Sequence, residues 1–212
     1  MACKRSVLAL AVGTVFLGCV GVQAGAKPTT GTYKFASYSI NVPPGGDWGV
    51  SEVDDASERI EFSTASYAFM AGSVTSSTSL GVAKVPVPAD KWSLGEEEAA
   101  NFFRDAREKR LAKEAAAQSY ELKNVRKGMA DVAGKKLYTM SFEGGVGNWF
   151  VGGKGYETFL YLYFPPDYAQ RHAFYVFHIS TASVKGSIYS QSANLKLLLS
   201  FLGGFQLGEI AP

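Results

Sequence analysis

Beyond Cys19 the chain holds two histidines, His172 and His178, and no cysteine, so few side chains could carry a reaction near neutral pH. His178 stands inside the apolar run Phe174–Ser180 (FYVFHIS) and is the sole candidate for acid–base work. Its apolar neighbours favour a core histidine, satisfied by one hydrogen bond, over a catalytic one. His172 falls among turn residues, where a solvated side chain is expected. A zinc site would have to be completed by carboxylates, and neither H-x-x-x-H nor H-x-E spacing occurs. No metal and no cofactor is therefore expected. Serines are plentiful, but there is no G-x-S-x-G elbow, and Glu157 and Asp167 stand only at the ends of apolar runs. Nothing assembles a nucleophile, a base and an orienting group, which argues against an enzyme.

The glycine-rich stretch Glu143–Gly155 (EGGVGNWFVGGKG) could in principle cradle a phosphate. The G-x-x-x-x-G-K-[S/T] pattern, however, needs glycine at Asn148 and serine or threonine at Gly155, and no G-x-G-x-x-G is present. The stretch reads better as a hairpin connection with Trp149 and Phe150 at its tip. These residue types are enriched where binding energy is concentrated, so the pair is the candidate binding contact. The competing reading folds both rings back onto the sheet.

The framework that would position these groups is Tyr156–Ser180 (YETFLYLYFPPDYAQRHAFYVFHIS), two strands punctuated by Pro165-Pro166-Asp167. One face of the first carries Leu160, Leu162 and Phe164, and the other Phe159, Tyr161 and Tyr163. In the second, Phe174, Val176, His178 and Ser180 alternate with Tyr175, Phe177 and Ile179. Both faces of both strands are largely apolar, so the pair should lie at the centre of a sheet covered on both sides. If Leu160 faces His178, the histidine sits among Leu160, Leu162 and Val176. Further strands are expected at Tyr38–Val42, Arg59–Ser63, within Ala71–Val87 and at Lys135–Phe142. Pro86 and Pro88 mark a strand end or an edge.

A helix should open at Ser93, whose spacing to Glu96 is that of a capping box. Ala99, Phe102, Phe103 and Ala106 would face inward. Beyond Ala106 the helix should be solvated, with Arg104, Arg107, Lys109, Arg110 and Lys113 in intrahelical pairs. A second helix is expected over Ser187–Leu202, ended by Gly203-Gly204.

The N-terminus carries an export signal. Lys4 and Arg5 precede the apolar segment Ser6–Leu17, which is shorter than the roughly 20 residues a membrane-spanning helix needs. Phe16-Leu17-Gly18-Cys19 resembles the lipobox of bacterial lipoproteins, which makes residues 1–18 the signal peptide and Cys19 the lipidated residue. Phe16 and Leu17 depart from that pattern, and Val22-Gln23-Ala24 offers an ordinary cleavage site after residue 24. Cysteine use favours the lipoprotein, because Cys3 and Cys19 are the only cysteines and no structural disulfide is possible. Residues 19–32 read as a flexible tether and 33–212 as one domain. Cleavage removes Lys4 and Arg5 from 21 basic residues and none of the 19 acidic ones. The neutral remainder has no electrostatic footprint for nucleic acid.

The strand ending in Pro-Pro-Gly before Trp48, the helix at Ser93, the Gly134-Lys135-Lys136 strand, the aromatic pair and a last helix ending in Ser200-Phe201 together resemble the PsbP-like fold. The likeness is greatest to small bacterial envelope lipoproteins of the DcrB type, and it spans Tyr33 to about Leu207. It implies an α+β fold, a three-layer α/β/α sandwich around a mostly antiparallel twisted sheet. It also implies a non-enzymatic bacterial envelope protein, periplasmic, held to a membrane by its N-terminal lipid and binding another envelope component. Carriage of a small apolar ligand is the alternative, and a hydrolase using His178 ranks below both.

Overall fold

Apolar residues on both faces of a strand need cover on both faces, and the fold provides it. The computed structural model describes residues 31–44, 48–67, 74–118, 121–146, 154–184 and 191–209. Strands β1 (Thr32–Lys34), β2 (Tyr38–Asn41) and β10 (Phe205–Leu207) form a small sheet in the order β1-β2-β10. Strands β3 (Gly49–Asp54), β4 (Arg59–Tyr67), β5 (Val74–Pro86), β6 (Glu121–Val132), β7 (Lys135–Val146), β8 (Lys154–Tyr163) and β9 (Ala173–Val184) form a large antiparallel one. Its order is β3-β4-β5-β9-β8-β7-β6, which puts the expected aromatic pair, β8 and β9, inside and β9 in the middle. Leu160 pairs with His178, the anticipated register.

Helix α1 (Glu96–Gln118) packs on one face of this sheet, where Ala99, Ala100, Phe103 and Leu111 meet Tyr138, Met140, Leu160 and Phe174. On the other face, helix α3 (Gln191–Gly203) and the small sheet bury Leu198, Phe201, Tyr38 and Ile40 against Phe62, Leu80, Tyr175 and Phe177. The result is the expected α+β, three-layer arrangement, with the small sheet sharing one outer layer with α3. Glu58 ties that layer to the large sheet. Its carboxylate accepts from Ser37 N and Oγ at 2.7 and 2.5 Å and from Lys84 Nζ at 2.6 Å. Burial would raise the Glu58 carboxyl pKa, but these bonds outweigh it and hold the group below its ordinary range.

Four details depart from the sequence reading. Helix α1 begins at Glu96, not at a Ser93 cap; Gly95 N–H donates to the Glu98 carboxylate at 3.2 Å, the returning half of a capping box. Its inward stripe does not end at Ala106, since Arg107, Leu111 and Ala115 are all buried. Phe102 instead turns outward and is 41% exposed. Arg104 is buried as well: its Nη1 donates to Gly128 O at 2.8 Å and Thr139 O at 3.1 Å, its Nη2 to Asn101 Oδ1, and its guanidinium lies over Tyr138. The prolines mark a strand end, as expected: Pro86 is the last residue of β5, and that strand is interior. Strands β3 and β6 are the edges, and β6 is joined to β7 by Ala133-Gly134, whose positive φ values of 51° and 73° suit a tight hairpin turn.

Candidate functional site

Among the described residues, the helix on the α1-side face of the large sheet lies over β6 and β7. One row across the strands shows the consequence. Glu52, Glu61, Gly81, His178, Leu160 and Met140 are successive register partners from β3 to β7. Leu160 and Met140 are buried beneath the helix side, whereas Glu52 and Glu61 are half-exposed. His178 stands between the buried and the half-exposed ends of this row, its side chain 17% exposed.

Its Nε2 lies 3.5 Å from Glu61 Oε2. The ring lies across Gly81, where a Cβ would run into His178 Cε1 and Nδ1 and would stand 2.9 Å from Ile60 O, so glycine is required there by close approach. Arg59 forms an ion pair with Glu52 on the same face. Burial raises the Glu61 carboxyl pKa, but the hydrogen bond and charge of His178, then Arg59 and Ser79, more than offset it and leave the group below its usual range. His178 is thus a histidine held by a carboxylate at the edge of the core, in place of the apolar environment that its sequence neighbours imply.

A carboxylate–imidazole pair can take up and hold a proton, but acyl transfer also needs a positioned hydroxyl. Neither flanking serine bonds the imidazole: Ser180 Oγ is 2.9 Å from Thr158 Oγ1, and Ser79 bonds the Glu61 carboxylate. Among the described residues no three of His, Cys, Asp and Glu gather as a metal site requires. His172 is not simply solvated. It takes φ 46° at the end of the short helix α2 (Tyr168–Arg171) and stacks on Trp92, the ring centroids 3.8 Å apart and the planes within 8°.

That stack belongs to a surface that the sequence reading missed. Trp92 Nε1 donates to Val87 O at 2.9 Å, which fixes the indole while 50% of the residue stays exposed. Between the end of β5 and α1, Pro88, Lys91, Leu94 and Phe102 line a shallow apolar cleft of about 20 Å³. That volume holds about one water, far below the roughly 300 Å³ of a small-molecule pocket. Lys91 Nζ sits 5.7 Å from the Phe102 ring centre. The sequence signal was a tryptophan placed between a proline-ended strand and a helix start, two exposed kinds of position. Trp149, Phe150 and Cys19 lie outside the described residues.

No family model matches the chain, and no curated protein matches it. Among solved structures it is similar to the cyanobacterial PsbP protein (CyanoP) of Synechocystis sp. PCC 6803, at 14% identity and a TM-score of 0.43, over 90% of this chain and 98% of that one. It is also similar to the Saccharomyces cerevisiae Ran-binding protein Mog1p, at 15% identity and a TM-score of 0.41, over 85% and 96% of the two chains. A mutant of the protein Mog1 gives 15% identity and 0.43 over 84% and 96%.

Two outcomes check the histidine site. Gly81→Ala should cost about 1–3 kcal/mol in a denaturant melt, and less in a His178→Ala background, where the ring is gone and only the contact with Ile60 O remains. Equal costs in both backgrounds would remove the close-approach explanation. Because the Glu61 pKa is depressed, its contribution is present above the ordinary value of 4.5 and is lost as pH falls through the folded value. Glu61→Gln should therefore flatten the acid side of the stability–pH curve; an unchanged slope would show that Glu61 plays no part in it.

Proposed function

We propose that this chain is a non-enzymatic, exported envelope protein of the DcrB type, lipidated at Cys19, whose domain docks on another envelope component. One observation carries the docking reading: Phe102, 41% exposed, lines an apolar cleft between β5 and α1, and Trp92, 50% exposed, stands in the same connection with its indole bonded to Val87 O, one of the cleft residues. Exposed large aromatics held in place by neighbours are the usual anchors of protein interfaces. The environment of His178 supports a structural role for that residue, since its one charged partner orients it and its neighbouring hydroxyls point to other groups. The cleft is too small to favour the carrier reading. Attachment is assigned to the N-terminal lipid on the resemblance of Phe16-Leu17-Gly18-Cys19 to a lipobox; among the described residues no helix is long and apolar enough to cross a membrane.

The test has two arms in the intact envelope. Cys19→Ser should release the protein from membranes and abolish fatty-acid labelling; an unmodified mature chain beginning at Gly25 would end the anchoring reading. A photo-crosslinking residue at position 92 should capture a discrete partner, and one at position 178 should not. The reverse pattern would move the working surface to the histidine face.

A further inference from the structure

We infer that Ser37 is a stop built into the N-terminal side of the domain: strand β1 can peel from β2 as spare length of tether, while the chain beyond Ser37 stays folded. This rests on the anchoring proposed above, through which a pull on Cys19 would enter the fold at β1. It adds what the fold does with that pull.

The two sides of Ser37 are held very differently. Strand β1 is an outer strand of the small sheet, three residues long, with Thr32 and Lys34 exposed. It pairs with β2 from Thr32 opposite Asn41 to Lys34 opposite Ser39. Flanking this ladder, Val42 N–H donates to Gly31 O at 3.0 Å and Phe35 N–H to Tyr38 O at 2.8 Å. The half-buried Tyr33 ring meets Phe62 edge-on, centroids 5.7 Å apart. A pull at the strand end loads these contacts one after another, and an edge strand is paired on one side only.

Ser37 is buried, and each of its polar atoms is bonded into a different part of the fold. Its N–H and Oγ–H donate to the Glu58 carboxylate at 2.7 and 2.5 Å, and Lys84 Nζ on β5 holds the same carboxylate. Its carbonyl accepts from Gly208 N–H at 2.8 Å and from the Tyr175 hydroxyl of β9 at 3.2 Å. Gly208 packs so closely that a Cβ there would stand 2.9 Å from Ala36 O, and its own carbonyl is held by Arg171 Nη2 at 2.6 Å. Moving Ser37 would leave all these buried groups unpaired together, which is far more costly than opening one ladder bond. The next residue, Tyr38, adds its own burial and a bond from its hydroxyl to Glu58 O at 2.8 Å. Peeling as far as the stop frees residues 31–36, roughly 20 Å of extended chain. The domain gains that reach from its anchor without loosening its core.

Hydrogen exchange on the mature chain from Cys19 reads the two sides separately. Val42 and Phe35 amides bond β1, whereas Asn41 N–H donates to Gly204 O and Gly208 N–H to Ser37 O. The first pair should be at least about tenfold less protected than the second. Glu58→Ala should lower the second pair at least about tenfold and leave the amides between β5 and β9 unchanged, with Glu58→Gln, which keeps one acceptor oxygen, falling between. Tyr33→Ser should lower only the first pair. Pulled between Cys19 and a Lys109→Cys handle on α1, the chain should lengthen by roughly 20 Å before the domain gives way, and Glu58→Ala should bring the two events together. Equal protection of all four amides, a second pair indifferent to Glu58→Ala, or a single rupture of the unaltered domain would each overturn the inference. Loss of the lipid-anchor reading in the labelling test above would leave these results as they are, so the two fail separately.

Discussion

The pairing of β5 with β9 is the constraint on which the rest of the molecule depends. It runs from Ser76 opposite Ser183 to Pro86 opposite Ala173. It joins two antiparallel meanders, β3-β4-β5 and β6-β7-β8-β9, which the chain itself connects only through α1. On one face the seam is apolar, with Leu80 beside Ile179 and Val82 beside Phe177, all at or near complete burial. Each such side chain contributes about 1.5–3 kcal/mol when removed from water, so the seam is among the strongest parts of the fold. On the other face it is made of Gly81 against His178 and Ala83 against Val176. The small residues of β5 leave the space that the larger ones of β9 occupy.

Both surface features follow from this seam. Helix α1 lies over β6 and β7, and at the β3-β4 end of the same face the described residues include the charged Glu52, Arg59 and Glu61. His178, on the middle strand, falls at the boundary and finds Glu61 there. At the other end of the seam, β5 stops at Pro86, because proline cannot donate to the ladder. The chain then turns through Pro88 and Trp92 before the helix begins. His172 enters the same corner from the end of α2, next to the first residue of β9, and Val87 N–H donates to His172 O at 2.7 Å. The Trp92–His172 stack is therefore anchored to both strands of the seam.

Much of this was legible in the sequence, and the exceptions have physical reasons. The aromatic alternation of Thr158–Phe164 and Phe174–Ser180 is enough to place β8 and β9 inside a doubly covered sheet, and the α+β layering that the family resemblance implies agrees with it. Strand β6 was not legible. It is an edge strand, mostly exposed and interrupted by a bulge at Asn124, so its polar residues show no alternation. Arg104 and Arg107 look like solvated residues by type, but a guanidinium can enter a core when backbone carbonyls receive it, as Gly128 O and Thr139 O do for Arg104. The partner of His178 was hidden because Glu61 reaches it across β5, two strands away, and only the register of three strands together reveals the pair. Trp92 was passed over because a single tryptophan in a turn carries no periodicity.

Native-state hydrogen exchange on the mature chain tests the central claim, that one cooperative seam holds both the histidine step and the aromatic corner rigid. Amides along β5 and β9, including Val87 N–H at the corner, should exchange only through global unfolding, with identical denaturant dependence. Those of the β6 and β3 edges should open earlier. If β3-β4-β5 exchanged as an independent unit while β6 to β9 stayed protected, the seam would not be what makes the molecule one body, and the account would be wrong.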